Sequence, residues 1–311
     1  MSEEQVEVGG KGGWLAGVLH LPEGAVPAGG VVLCPGFPKS KAESDFCFVL
    51  AARRLSRRLA VLRFDYRGLG DSPGLSEDVT LARMAADARR SVAWLGRALG
   101  KGRGRPSGSG PAVALLGFGL GAAVAALAAG SAGDRRGAAR DAYGGGAAAR
   151  VGALVLWSPP FEPLPDHRRV LLPAGLEALY REGRVDMALL ADWEGGGPSR
   201  DYFFRLGAEP KNACGLMAGR RLLEGLDGLD TLALARAAGL PLLVVTGSEA
   251  GPVLGPLPRE GAEGEELQLH LVPGANHLLT HPRWKEAAIE ATAAFLEARL
   301  GAEAGGGEGG G

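Results

Sequence analysis

The sequence predicts an α/β fold: a mostly parallel, doubly wound sheet with helices on both faces and an insertion late in the chain. Three observations lead there. From Gly29 onward, short Val- and Leu-rich runs alternate with segments of helical apolar spacing, the grammar of parallel strands joined by right-handed crossovers. The stretch Ala112 to Ala129, AVALLGFGLGAAVAALAA, passes from an apolar strand through a glycine-rich turn into an Ala-rich helix. From Ser158 to about Gly239 the periodicity breaks, then strands resume.

Taken in order, Trp14 to Leu21 alternates as an edge strand, and Gly29 to Cys34 is a β-branched run suited to a buried parallel strand. Asp45 to Leu59 carries apolar residues at Phe46, Val49, Leu50, Leu55 and Leu59, which predicts a helix with its paired arginines towards water. Ala60 to Phe64 reads as a strand that ends in DYRGLGDSPG. Thr80 is placed to cap a helix continued by Leu81, Met84, Ala88, Val92 and Leu95. Two Gly- and Arg-rich stretches, GKGRGRPSGSGP and SAGDRRGAARDAYGGGAAAR, flank the central strand and helix and read as solvated loops. Val151 to Trp157, Pro241 to Thr246 and Leu267 to Val272 complete the strands, and Arg283 to Leu300 closes as an amphipathic helix. The domain reading is therefore a core of residues 1–157 and 240–300, a cap over 158–239 and a disordered Gly-rich tail over 301–311.

The 311 residues carry a formal net charge of -1 and 46% hydrophobic residues, so no long-range field favours nucleic acid or anionic lipid. A small-molecule ligand fits better, and the oligomeric state is left open. Cys34, Cys47 and Cys214 form no C-x-x-C pair, which argues against a disulfide framework, a metal centre or redox work. The acidic start MSEEQVEVGGKGG has no apolar core, and the expectation is a cytoplasmic protein. Pro111 to Gly130 is uncharged and long enough to cross a bilayer. Its Ala and Gly content and its β-like first third instead favour strand plus helix.

Four landmarks fall in order: CPGF at Cys34 to Phe37, RFDYRGLGDSPG at Arg63 to Gly74, GFGLG at Gly117 to Gly121, and PGANH at Pro273 to His277. On these the chain resembles the α/β-hydrolase superfamily, in particular its esterase, lipase and serine-aminopeptidase-like branch, over roughly Val31 to Leu300. The resemblance implies a nucleophile elbow G-x-S-x-G followed by an acid and a histidine. The position of the attacking serine is Gly119, and the G-x-x-D acid position after the seventh strand is Ala250. Only the histidine is retained, as His277. Glu249 and Glu162 are candidates for a displaced acid. Ser72, Cys34 and Ser158 are weaker candidates for a displaced nucleophile. The oxyanion donors implied by the family are backbone amides, here those of Leu120 and Phe37, and they survive side-chain loss.

No cofactor is implied by the resemblance. Two functional classes stay in contention: a degenerate hydrolase that retains a pocket for an acyl or peptide-like ligand or a partner, and an enzyme that uses His277 with a displaced nucleophile or activated water. A third reading takes GFGLGA as a dinucleotide fingerprint. That reading needs an acidic residue at the end of the next strand, which instead ends Trp157-Ser158-Pro159-Pro160.

Overall fold

The protein is represented by a computed structural model that describes residues 1–9, 13–100, 111–130, 149–210, 215–257 and 266–305. Most of the two Gly- and Arg-rich stretches, and Cys214, lie outside the described residues. Eight strands form one sheet: β1 (Ser2–Glu7), β2 (Ala16–Leu21), β3 (Gly30–Cys34), β4 (Ala60–Phe64), β5 (Ala112–Phe118), β6 (Arg150–Trp157), β9 (Leu242–Gly247) and β10 (Leu267–Val272). Their spatial order is β1-β2-β4-β3-β5-β6-β9-β10, antiparallel at β1/β2 and β2/β4 and parallel elsewhere. Short strands β7 (Arg184–Asp186) and β8 (Met217–Gly219) pair with each other between β6 and β9.

The sheet is buried on both faces because its central strands are apolar at nearly every position, β3 and β5 throughout. Val32, Leu62, Leu115, Leu156 and Val244 face one core, which is closed by helices α2 (Leu81–Gly100) and α3 (Leu120–Gly130). Their chain neighbours Val31, Val61, Leu116, Trp157 and Val245 face the other, under α1 (Cys47–Leu55) and the C-terminal helix α10 (Pro282–Gly305). Thr80 caps α2 as expected, its Oγ1 accepting the Arg83 N–H at 3.2 Å. No helix among the described residues is long and apolar enough to cross a membrane.

Between β6 and β9 lie α4 (His167–Val170), α5 (Pro173–Glu182), α6 (Pro198–Arg205), α7 (Arg220–Leu226) and α8 (Thr231–Ala237), with α9 (Gly251–Leu254) after β9. The last of the inserted helices, α8, packs on α3.

Three local readings are corrected. The first helix begins at Cys47 rather than Asp45, because Glu43, Asp45 and Phe46 all have positive φ and cannot propagate a helix. It ends at Leu55, so Leu59 is outside it. Strand β1, which no apolar alternation marks in the sequence, runs Ser2↔Leu21 to Glu7↔Ala16 along β2. Finally, α10 continues past Leu300 to Gly305, and residues 306–311 lie outside the described residues.

Candidate functional site

Gly119 stands between β5 and α3 with φ +53, a left-handed conformation that glycine adopts without a Cβ penalty. Its N–H donates to the Trp157 carbonyl at 3.0 Å, which ties the turn to the neighbouring strand. The turn is tight because α3 packs directly onto backbone: a Cβ on Gly121 would come within 2.0 Å of the Cys34 carbonyl oxygen. Phe37 follows β3, Ala250 follows β9 and His277 follows β10. The sequence-predicted residues thus follow the carboxyl ends of parallel strands, where ligands of such sheets bind.

The space beside Gly119 is filled by the chain itself. The turn ending α6 places Leu206 and Gly207 there: a Cβ on Gly119 would lie 2.7 Å from the Leu206 carbonyl oxygen and 3.0 Å from the Gly207 nitrogen. A Cβ on Gly36 would also meet that oxygen, at 3.0 Å. The Leu206 carbonyl accepts the Leu120 N–H at 3.1 Å. One of the two expected oxyanion donors is therefore already occupied, by a peptide carbonyl. The Phe37 N–H has no acceptor among the described residues.

Sequence reasoning missed what holds this turn in place. Glu209 Oε1 lies 2.6 Å from Lys39 Nζ and 2.8 Å from Ser44 Oγ, joining the segment after α6 to the loop after β3. Lys39 is buried, and so is Glu43 beside it, whose Oε2 accepts the Gly36 N–H at 2.6 Å. Burial pushes the Glu43 carboxyl up to about 7, against the pull of Lys39 and the Gly36 amide. The run PGFPKSKAES gives a signal for the Lys39 and Glu43 half. Nothing near Glu209 in sequence points to its distant partners.

His277 is 8% exposed, packs against the Phe204 ring at 5.4 Å between centroids, and leaves Nε2 without a hydrogen-bond partner. Burial pushes it down to about 4, and the charge of Glu209 opposes that shift. The imidazole is accordingly neutral near pH 7. Ala250 is fully buried. The candidate replacement acids do not reach His277: Glu249 Oε1 accepts from Ser248 Oγ at 3.3 Å, and Glu162 packs against Gly255. Neither makes a hydrogen bond to His277 among the described residues.

The candidate displaced nucleophiles differ in state. Ser72 Oγ is committed, accepting the Ala16 N–H at 2.9 Å and donating to the Asp65 carbonyl at 2.7 Å. Cys34 is fully buried, and burial pushes its thiol up to about 12. Ser158 is buried at φ +45 with no partner for its hydroxyl.

Residues 31–294 match the family described as Alpha/beta hydrolase family. The chain belongs to this family. No curated protein matches it. Among solved structures, the alpha/beta hydrolase GrgF from Penicillium sp. sh18 superposes with a TM-score of 0.66 at 17% identity, over 96% of this chain and 99% of that one. Est1E from Butyrivibrio proteoclasticus, with ferulic acid bound, gives 0.61 at 17% identity over 95% and 99%. The esterase domain of a Rhodothermus marinus protein gives 0.57 at 20% identity over 97% and 100%. As an alpha/beta hydrolase, then, the chain has a left-handed glycine at the turn between β5 and α3, with no side chain on it. For the dinucleotide reading the geometry matters equally, since a pyrophosphate would need the N-terminus of α3, and Leu206 lies against it.

Proposed function

We propose that this alpha/beta hydrolase does not perform ordinary serine-dependent hydrolysis, and that its cleft receives an acyl or peptide-like ligand, or a partner segment, in exchange for its own Leu206-Gly207 peptide. The observation that carries the reading is the Leu206 carbonyl seated on the Leu120 N–H beside a side-chain-free Gly119. That amide is the donor which, in acyl-transfer enzymes of this fold, meets a substrate carbonyl. A peptide carbonyl from the cap now takes that bond, so the complementarity suits amide and ester groups. The ester-directed names of Est1E and the Rhodothermus domain point to the same acyl chemistry.

The test is labelling of the purified chain with a fluorophosphonate probe, followed by peptide mapping. No serine should be labelled, because no activated hydroxyl is offered. Gly119→Ser should be labelled at most slowly, and adding Ala250→Asp should not restore a rapid rate, since Leu206 and Gly207 must leave before a probe reaches the new side chain. Rapid labelling of Ser158 in the unmodified chain would overturn the proposal.

A second reading rests on the unpartnered Nε2 of His277. A neutral imidazole can take a proton from water or substrate. This reading requires turnover of an activated ester that is lost in His277→Gln, whereas the degenerate-site reading requires negligible turnover in both.

A further inference from the structure

The insertion carries a histidine–carboxylate pair, separate from the site above. His167, the first residue of α4, is buried. Its Nδ1 lies 2.8 and 3.0 Å from the two oxygens of Asp227, and its backbone N–H donates to Asp227 Oδ1 at 2.9 Å. Its other ring nitrogen, Nε2, lies 2.9 Å from the Tyr180 hydroxyl. An ionised Asp227 can only accept, so Nδ1 carries a proton, and in the neutral imidazole Nε2 then accepts from the Tyr180 hydroxyl. The order hydroxyl, imidazole, carboxylate is that of nucleophile, base and orienting acid, with a phenol as the hydroxyl.

The surroundings of Tyr180 are open and cationic. Tyr180 is 39% exposed, so a reagent can reach it. The Arg220 guanidinium stands 5.3 Å from its ring centroid, and the Arg168 charge also couples to it. Asp166, which lies beside the pair, has both oxygens engaged by Arg168 and does not compete for His167 Nε2.

We propose that Tyr180 is a nucleophile activated by His167 and Asp227, taking the acyl group of an activated ester. Tyr180 Oη attacks the carbonyl carbon as its proton passes to His167 Nε2. The bond to the leaving alkoxide or phenolate then breaks, that oxygen takes the proton from Nε2, and the acyl group remains as a tyrosyl ester. Electrons and protons balance without any further reactant. The assignment is independent of the Gly119 cleft.

An arylsulfonyl fluoride, which reacts irreversibly with phenolates, tests this in the full chain at pH 7 with N-acetyltyrosinamide in the same solution as reference. Tyr180 should be modified on the order of a hundredfold faster than the reference, the lower range of a positioned general base. His167→Gln and Asp227→Asn should bring the rate down towards the reference, and Tyr180→Phe should abolish modification there. A role confined to holding α4, α5 and the Asp227 turn together would leave Tyr180 at the reference rate, and that result overturns the proposal. Should the variants not fold, the unmodified chain decides: Tyr180 must react faster when folded than in urea, and an equal or slower folded rate rejects the assignment.

Discussion

The chemistry of His277 follows from its burial beneath Phe204. With a folded value of about 4 against 6.5 in a free chain, the unfolded state binds a proton between these values while the folded state does not. Stability contributed at this residue is therefore complete above pH 6.5 and lost as pH falls towards 4. Replacing His277 with Gln removes the effect. Between pH 7 and pH 4 the unfolding free energy of the unmodified chain should fall by about 3 kcal/mol more than that of the variant. His20, lowered by burial to about 4, titrates in the same direction, and Glu43, raised to about 7, in the opposite one; both cancel in the comparison. Parallel pH dependences in the two chains, measured by urea unfolding, would mean that His277 is solvated.

At the scale of elements, the turn after α6 decides whether the cleft is open. Its anchor is the Glu209 contact with buried Lys39 and with Ser44. Glu209→Gln removes the carboxylate bonded to the buried Lys39 ammonium, a loss of about 3–5 kcal/mol for a buried pair. Local opening of the turn should then expose the Leu120 amide, which has no acceptor within its own helix because it begins α3. Hydrogen exchange at Leu120 should quicken at least about tenfold, while amides within β5 stay protected. Unchanged exchange at Leu120 would show that the turn is held by apolar packing of Tyr202, Phe203 and Leu206 alone. This element was illegible in the sequence, where PSRDYFFRLGAEP is one more irregular cap segment, because its meaning lies in contacts with Gly36, Gly119 and Lys39. The elbow itself was legible: strand, glycines and helix are local, and a positive φ at Gly119 follows from the turn. Strand β1 was hidden for another reason. SEEQVE exposes charge on both faces and contributes only Val6 to packing, so no alternation marks it, and pairing with β2 alone makes it a strand.

At the scale of the whole molecule, the alternating inward residues of the central strands build two cores that share one sheet. This arrangement was readable from apolar runs, since a strand buried on both faces needs helices on both. Trp157 shows how the second core is locked. It ends β6, is fully buried, and meets Phe48 and Phe118 edge to face at 6.2 and 6.4 Å. Its indole N–H donates to Thr292 Oγ1 in α10 at 2.9 Å, so one side chain joins the sheet to the C-terminal helix. Trp157→Ala should cost about 3–5 kcal/mol through lost packing and the cavity left behind. Trp157→Phe keeps an aromatic ring but strands the Thr292 hydroxyl, a loss of about 1–3 kcal/mol. Thr292→Val tests the bond from the other side. If the bond carries the coupling, the double variant Trp157→Phe with Thr292→Val should be more stable than the sum of the single losses predicts, because it leaves no orphaned donor or acceptor. Strict additivity in urea unfolding would mean that shape alone joins α10 to the sheet. The carbonyl of the same Trp157 receives the Gly119 N–H, so a loosened Trp157 should also raise exchange at the Gly119 amide, linking the packing of the second core to the cleft edge.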